Sequence, residues 1–130
     1  MSNPYQKYKQ TQVVSASRER LLLMMYEGAI KFTKLAIRAA EEKNVHDRCM
    51  NLGRAYDIVM ELNNTLDHNV GGDISRQLEQ LYMFITDQYT QANLTGNPEP
   101  LKNALKVLDT LFEGWKGAVD KLKKNNEGAA

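Results

Sequence analysis

The sequence predicts an all-α fold, an antiparallel up-down four-helix bundle with an extended N-terminal segment packed on it. Apolar residues recur at steps of three and four through four long segments. No segment alternates β-branched and polar side chains as a half-buried strand would. The three prolines, Pro4, Pro98 and Pro100, and the Gly/Asn-rich breaks near Asn44, at 69–72 and at 95–100, all fall outside those segments. Short connections between helices of similar length favour antiparallel neighbours. A chain of 130 residues suits one domain, since two would each be too small to bury a core.

The first helix is expected to start at Ser17, a good N-cap, and to run to about Lys43, where Asn44 ends it or caps the next. The second spans about 45–68, with a stripe of Val45, Cys49, Leu52, Tyr56, Val59 and Leu66. The third, about 73–95, opens on Asp73 as N-cap after Gly71-Gly72 and carries Ile74, Leu78, Leu81, Ile85, Tyr89 and Ala92, with Gly96 closing it. The fourth, about 98–124, begins at Asn97-Pro98, a cap followed by proline at the first helical position. It repeats the pattern through Leu101, Leu105, Leu108, Phe112, Trp115, Val119 and Leu122. Residues 1–16 are read as an extended segment and 125–130 as a disordered tail.

Helix 1 departs from an ordinary amphipathic pattern. Arg20, Glu27, Lys31, Lys34, Arg38 and Glu41 fall on one narrow strip, leaving roughly 260° of its circumference apolar or small. Leu23, Ile30 and Ile37 flank the buried centre on one side, and Leu21, Met24 and Leu35 on the other. A bundle corner covers a face only somewhat over 100° wide. Either helix 1 is central and wrapped by its neighbours, or it contributes to a partner groove. Met60, Met83 and Phe84 also lie off their core stripes, and no charge occurs from Gln88 to Pro98, a composition suited to adaptable contact. The N-terminal segment, with Tyr5, Tyr8 and Val13, is too apolar for a solubilising tail alone. Sixteen extended residues reach about 53 Å, farther than the roughly 39 Å of a 26-residue helix, so the segment can reach any part of the bundle as a plug.

Catalytic constellations are missing. Lys43 and Thr65 stand where a dimetal bundle needs a glutamate three residues before each histidine, His46 and His68. His46 and Cys49 are only two ligands for a zinc site, and Gly71-Gly72 has neither the strand nor the lysine of a phosphate loop. No cofactor, metal or enzymatic activity is expected. The single Cys49 excludes an internal disulfide and fits the cytoplasm. The start of the sequence lacks a signal-peptide core, and no apolar run approaches the roughly 18 residues of a span, so no direct membrane insertion is expected. With 17 basic and 16 acidic residues, the chain has no general field for nucleic acid.

Ordered short motifs carry a resemblance. Asn3-Pro4-Tyr5 with Tyr8, Gln12-Val13, Ala16-Ser17, Leu21, Met24, Tyr26 and Gly28-Ala29-Ile30-Lys31-Phe32 resemble the opening of FliS-type flagellin export chaperones. Leu66-Asp67, Gly71-Gly72 with Ile74, Leu78, Leu81-Tyr82, Ala92-Asn93 and Trp115 continue it across nearly the whole chain. Arg18 departs from a frequent proline, Met83 from a frequent acid, and Tyr89-Thr90-Gln91 from basic residues.

The resemblance implies a cytosolic chaperone that binds the disordered C-terminal segment of flagellin, prevents its premature polymerisation, and delivers it to the export gate of the flagellar type III secretion system. Recognition would couple client folding to a helix-binding groove. The apolar track expected for it comprises Leu23 and Ile30 on helix 1, Ile58, Leu62 and Leu66 on helix 2, and Tyr82 and Tyr89 on helix 3, each equally compatible with core. Tyr5, Tyr8 and Val13 are the expected plug or export-gate contacts. The alternative is a non-catalytic dimerisation or signalling adaptor, for which the same apolar face would support a weak homodimer.

Overall fold

The computed structural model describes residues 18–128, and side chains through 125. Among the described residues the chain is helical without strands: α1 (Arg18–Glu41), α2 (Val45–Asn64), a single turn α3 (His68–Gly71), α4 (Asp73–Thr95) and α5 (Glu99–Gly128). The expectations at Ser17 and in segment 1–16 lie outside the described residues. α1 packs on α2 and α5, and α4 packs on the same two from the opposite corner. The four long helices form the expected bundle, with α1 and α4 on one diagonal.

Each reversal has a local cause. Lys43 adopts φ 57°, with its N–H bonded to Ala40 O at 3.1 Å and the Asn44 N–H to Ala39 O at 2.8 Å, a Schellman ending built on a lysine. Asn44 then caps α2, accepting from Asp47 N at 3.1 Å. α2 stops at Asn64, short of the expected 68, because Asp67 caps α3 by accepting from the N–H groups of Asn69 and Val70. α4 begins after Gly72 at φ 55°, so Asp73 is the first helical residue and not the cap; it pairs with Arg76 at 2.6 Å. Gly96 closes α4 at φ 73°, and Asn97 Oδ1 accepts from Glu99 N at 3.0 Å to start α5. α5 runs past the expected Lys124 to Gly128.

Two turn substitutions should shift stability in opposite directions. Lys43→Gly removes a left-handed Cβ penalty and should stabilise the fold by about 1 kcal/mol. Gly96→Ala introduces that penalty and also sets a methyl 2.9 Å from an Arg48 guanidinium nitrogen, so it should destabilise by about 1–2 kcal/mol. Urea midpoints measure both.

The core centres on Tyr26, Ala29 and Ala36 of α1, Leu52, Ala55, Val59 and Leu62 of α2, Tyr82, Ile85, Tyr89 and Ala92 of α4, and Leu101, Ala104 and Leu108 of α5. The core face of α2 is rotated from the expected stripe: Val45, Cys49 and Tyr56 are exposed, while Ala55 and Leu62 point inward. Small side chains explain the rotation. A Cβ on Gly28 would lie 3.2 Å from Ile58 Cδ1, so α2 closes against α1 where Gly28, Ala29 and Ala55 leave room. In α4 the same shift exposes Ile74 and leaves Leu81 half-buried.

Hydroxyl pairs join α1 and α4 across the bundle. The Tyr26 and Tyr82 hydroxyls bond each other, and Thr33 Oγ1 pairs with the Tyr89 hydroxyl at 2.6 Å. Both pairs are separated by 56 residues and stand one heptad apart, so the diagonal helices run parallel with one register. Trp115 Nε1 of α5 donates to the Tyr26 hydroxyl at 3.1 Å, and Thr33 Oγ1 also donates to Ala29 O at 2.7 Å. Buried hydroxyls are thus satisfied inside an apolar core.

Burial raises the pKa of all three tyrosines, only partly offset at Tyr26 by bonds from Tyr82 and Trp115, and at Tyr89 by its bond with Thr33. Tyr89 is pushed up to about 12. A raised phenol pKa means that the folded state holds its proton more tightly than the unfolded chain, which releases it near 10. The contribution is complete below pH 10 and is lost as pH rises through the folded value. Stability should therefore fall between about pH 10 and 12, by about 3 kcal/mol from Tyr89 alone. Alkaline titration of phenolate absorbance should show these tyrosines ionising only with unfolding; independent ionisation in the folded state would contradict the burial.

A candidate apolar docking surface

Among the described residues, the bundle is incompletely closed beyond the Tyr26–Tyr82–Trp115 layer. This end gathers the start of α1, the end of α2, α3, the start of α4 and the last turns of α5. Leu22, Leu66, Leu78 and Trp115 pack on the core there but remain half-buried. Leu21, Met24, Val70, Ile74 and Leu122 are exposed. No residue of α5 after Leu108 is fully buried among those with described side chains. Large side chains at an uncovered end retain apolar area available for a partner, worth about 25 cal/mol per Å² on burial.

A groove of about 370 Å³ lies toward the opposite end, between the first half of α2 and the last turns of α4, lined by Cys49, Leu52, Gly53, Tyr56, Asp57, Thr90, Asn93 and Leu94. Asp57 is the only charged residue of that lining, so few ionic groups need be desolvated when the groove is filled. Gly53 leaves open space above the backbone, and Leu94 is 80% exposed. Met60 and Met83 share the same flank of their helices as Tyr56 and Leu94 by helical register, and Met83 is exposed. At the far end Arg48 Nη2 donates to Asn93 O and Cys49 Sγ to Asn93 Oδ1, each at 3.4 Å, fixing α2 against the last turn of α4.

The residues expected to form a client track divide between this surface and the core. Leu62, Tyr82 and Tyr89 are 1%, 2% and 0% exposed and present no surface in the closed bundle. Ile30 is buried, although its edge floors a shallow groove between α1 and Phe112 of α5. Leu23, Ile58 and Leu66 are half-buried, with Ile58 against Gly28. Tyr5, Tyr8 and Val13 lie outside the described residues. Tyr56 and Leu94 line the groove without having been expected there: Tyr56 fits the core stripe of its helix by spacing, and Leu94 continues no stripe. The available signal was the off-stripe Met60 and Met83 together with the uncharged 88–98 stretch.

Among the described residues there is no cluster of three or more His, Cys, Asp or Glu side chains able to hold a metal, and no helix is long and apolar enough to cross a membrane.

Comparisons with known proteins agree across the chain. The family model described as flagellar protein FliS matches residues 1–122. A flagellar secretion chaperone FliS of Bacillus subtilis is 30% identical over 129 residues, covering 99% of this chain and 96% of that protein. The flagellar secretion chaperone FliS of Vibrio cholerae is 31% identical, covering 88% of each chain. That of Campylobacter jejuni is also 31% identical, covering 86% of this chain and 88% of its own length.

Proposed function

The chain belongs to the FliS family of flagellar secretion chaperones, a family without enzymatic activity, and from that premise we propose that it binds the C-terminal segment of flagellin in the cytosol. Binding keeps flagellin from polymerising and presents it to the export gate of the flagellar type III secretion system. The observation that carries this reading is the charge-poor groove between α2 and α4, with exposed apolar side chains at the opposite end of the bundle. A disordered client can fold a helix into such a groove and cover the end with its remaining apolar residues. The client track is accordingly Tyr56, Met83 and Leu94 in the groove and Leu66 and Ile74 at the other end.

The N-terminal segment occupies the same surface when client is absent. Residues 1–17 contain Lys7 and Lys9 but no carboxylate, and α4, which borders the groove, carries three acidic residues against one basic. Tyr5, Tyr8 and Val13 are its apolar anchors. As a tethered plug it acts at an effective concentration on the millimolar scale, enough to shield the groove and weak enough for a client to displace. Once displaced, the same aromatic residues are free to contact the export gate.

The functional test is polymerisation of purified flagellin followed by light scattering. An equimolar amount of the protein should suppress seeded polymerisation, and Tyr8→Ala should leave that suppression intact while lowering secretion in cells. Polymerisation at an unchanged rate would remove the chaperone reading of this chain.

A further inference from the structure

We propose that the outward face of α1, with the adjoining edge of α5, is a second docking surface, built for an acidic amphipathic helix of another protein and separate from the flagellin track. A shallow groove of about 520 Å³ runs there, floored by Ile30, Leu35 and Phe112 and edged by Lys31, Lys34 and Arg38, with Glu27 its one acidic lining residue. Its chemistry is the reverse of the α2/α4 groove. α1 carries five basic residues against three acidic, whereas α4, on the opposite corner, carries one against three. A nearly neutral chain has therefore separated its charge across the bundle diagonal, which orients an approaching acidic partner toward α1.

The cations are also available. Among the described residues no carboxylate lies within salt-bridge distance of Lys31 or Lys34, and Arg38 is held only by an exposed i,i+4 pair with Glu42, an interaction readily exchanged. Lys31 Nζ stands 5.5 Å from the centre of the Phe32 ring and Lys116 Nζ 4.7 Å from that of Phe112. The Phe112 contact holds the Lys116 ammonium beside the apolar floor, where its exposed i,i+3 pair with Glu113 at 2.9 Å is readily exchanged for a partner's carboxylate. Apolar anchors between cations match a helix with leucine-like residues on one face and glutamates flanking them. The chain's own N-terminal segment is a poor occupant, because residues 1–17 contain no acidic residue.

Two synthetic helical peptides of about 18 residues test this, sharing leucines at i, i+3, i+4 and i+7 spacing but flanked by glutamates in one and lysines in the other. Each is titrated into the isotopically labelled full-length protein and followed by amide chemical shifts. The acidic peptide should bind at least about tenfold more tightly than the basic one, shift the amides of Lys31, Lys34 and Leu35, and weaken as salt is added. Lys34→Glu with Arg38→Glu should reduce its affinity at least about tenfold while leaving the thermal midpoint and the binding of the flagellin C-terminal fragment unchanged. Equal affinity for both peptides, or shifts confined to α2 and α4, would overturn the proposal. So would concentration-dependent self-association abolished by the double variant, which would assign the face to a second copy of the chain. A failed flagellin titration with a successful acidic-peptide titration would count against the flagellin reading alone.

Discussion

Replacing Tyr89 with alanine is expected to destabilise the bundle by about 3–5 kcal/mol, a large part of the 5–15 kcal/mol typical of a small domain. The ring is 0% exposed and fills the layer between α1 and α4, so its removal leaves a cavity that four rigid helices cannot close without shifting. The deletion also removes the hydroxyl paired with Thr33 Oγ1 at 2.6 Å, although Thr33 keeps its bond to Ala29 O. Tyr89→Phe separates the two effects and should cost only about 1–2 kcal/mol, because the ring stays and one buried hydroxyl bond is lost. Urea denaturation gives both values. A loss below about 1 kcal/mol for the alanine variant would contradict its place in the core.

The second large effect is expected in binding. Met83→Glu combined with Leu94→Glu should weaken flagellin binding about a hundredfold, equivalent to about 2.7 kcal/mol, with stability changed by no more than about 0.5 kcal/mol. Both side chains are exposed in the free protein, so folding does not bury the new carboxylates. A docked client would bury them against apolar groups without a counter-charge, and α4 already carries an excess of acid. Met83→Leu is the control and should bind about as tightly as the parent chain. Unchanged affinity in the double variant would place the client elsewhere on the bundle.

The four long helices, their antiparallel order and several caps were legible because they depend on local chemistry. Asn44, Gly96 and Asn97 act where their side chains or backbone freedom suggest. The apolar breadth of α1 exceeds what its described neighbours cover, for Leu21, Met24 and Leu35 remain exposed. The rotation of α2 and the brief α3 were not legible. Counting large apolar residues gives alanine and glycine no weight, yet Gly28, Ala29 and Ala55 decide how closely α1 and α2 approach and therefore which face turns inward. Tyr82 and Tyr89 could be read as amphipathic surface or as core. Their hydroxyl partners, Tyr26 and Thr33, lie 56 residues earlier, and only tertiary structure brings them together. The groove was half visible, through its methionines and missing charges, but its walls come from two helices whose facing sides no single-helix pattern defines.

The most direct measurement is calorimetric titration of the full-length protein with the C-terminal fragment of flagellin from its own organism, repeated at several temperatures. The expected result is a one-to-one complex with a large negative heat-capacity change, the signature of burying on the order of 1,000–3,000 Å² as a disordered segment folds on its partner. Absence of heat at every temperature, with no complex on gel filtration, would contradict the account.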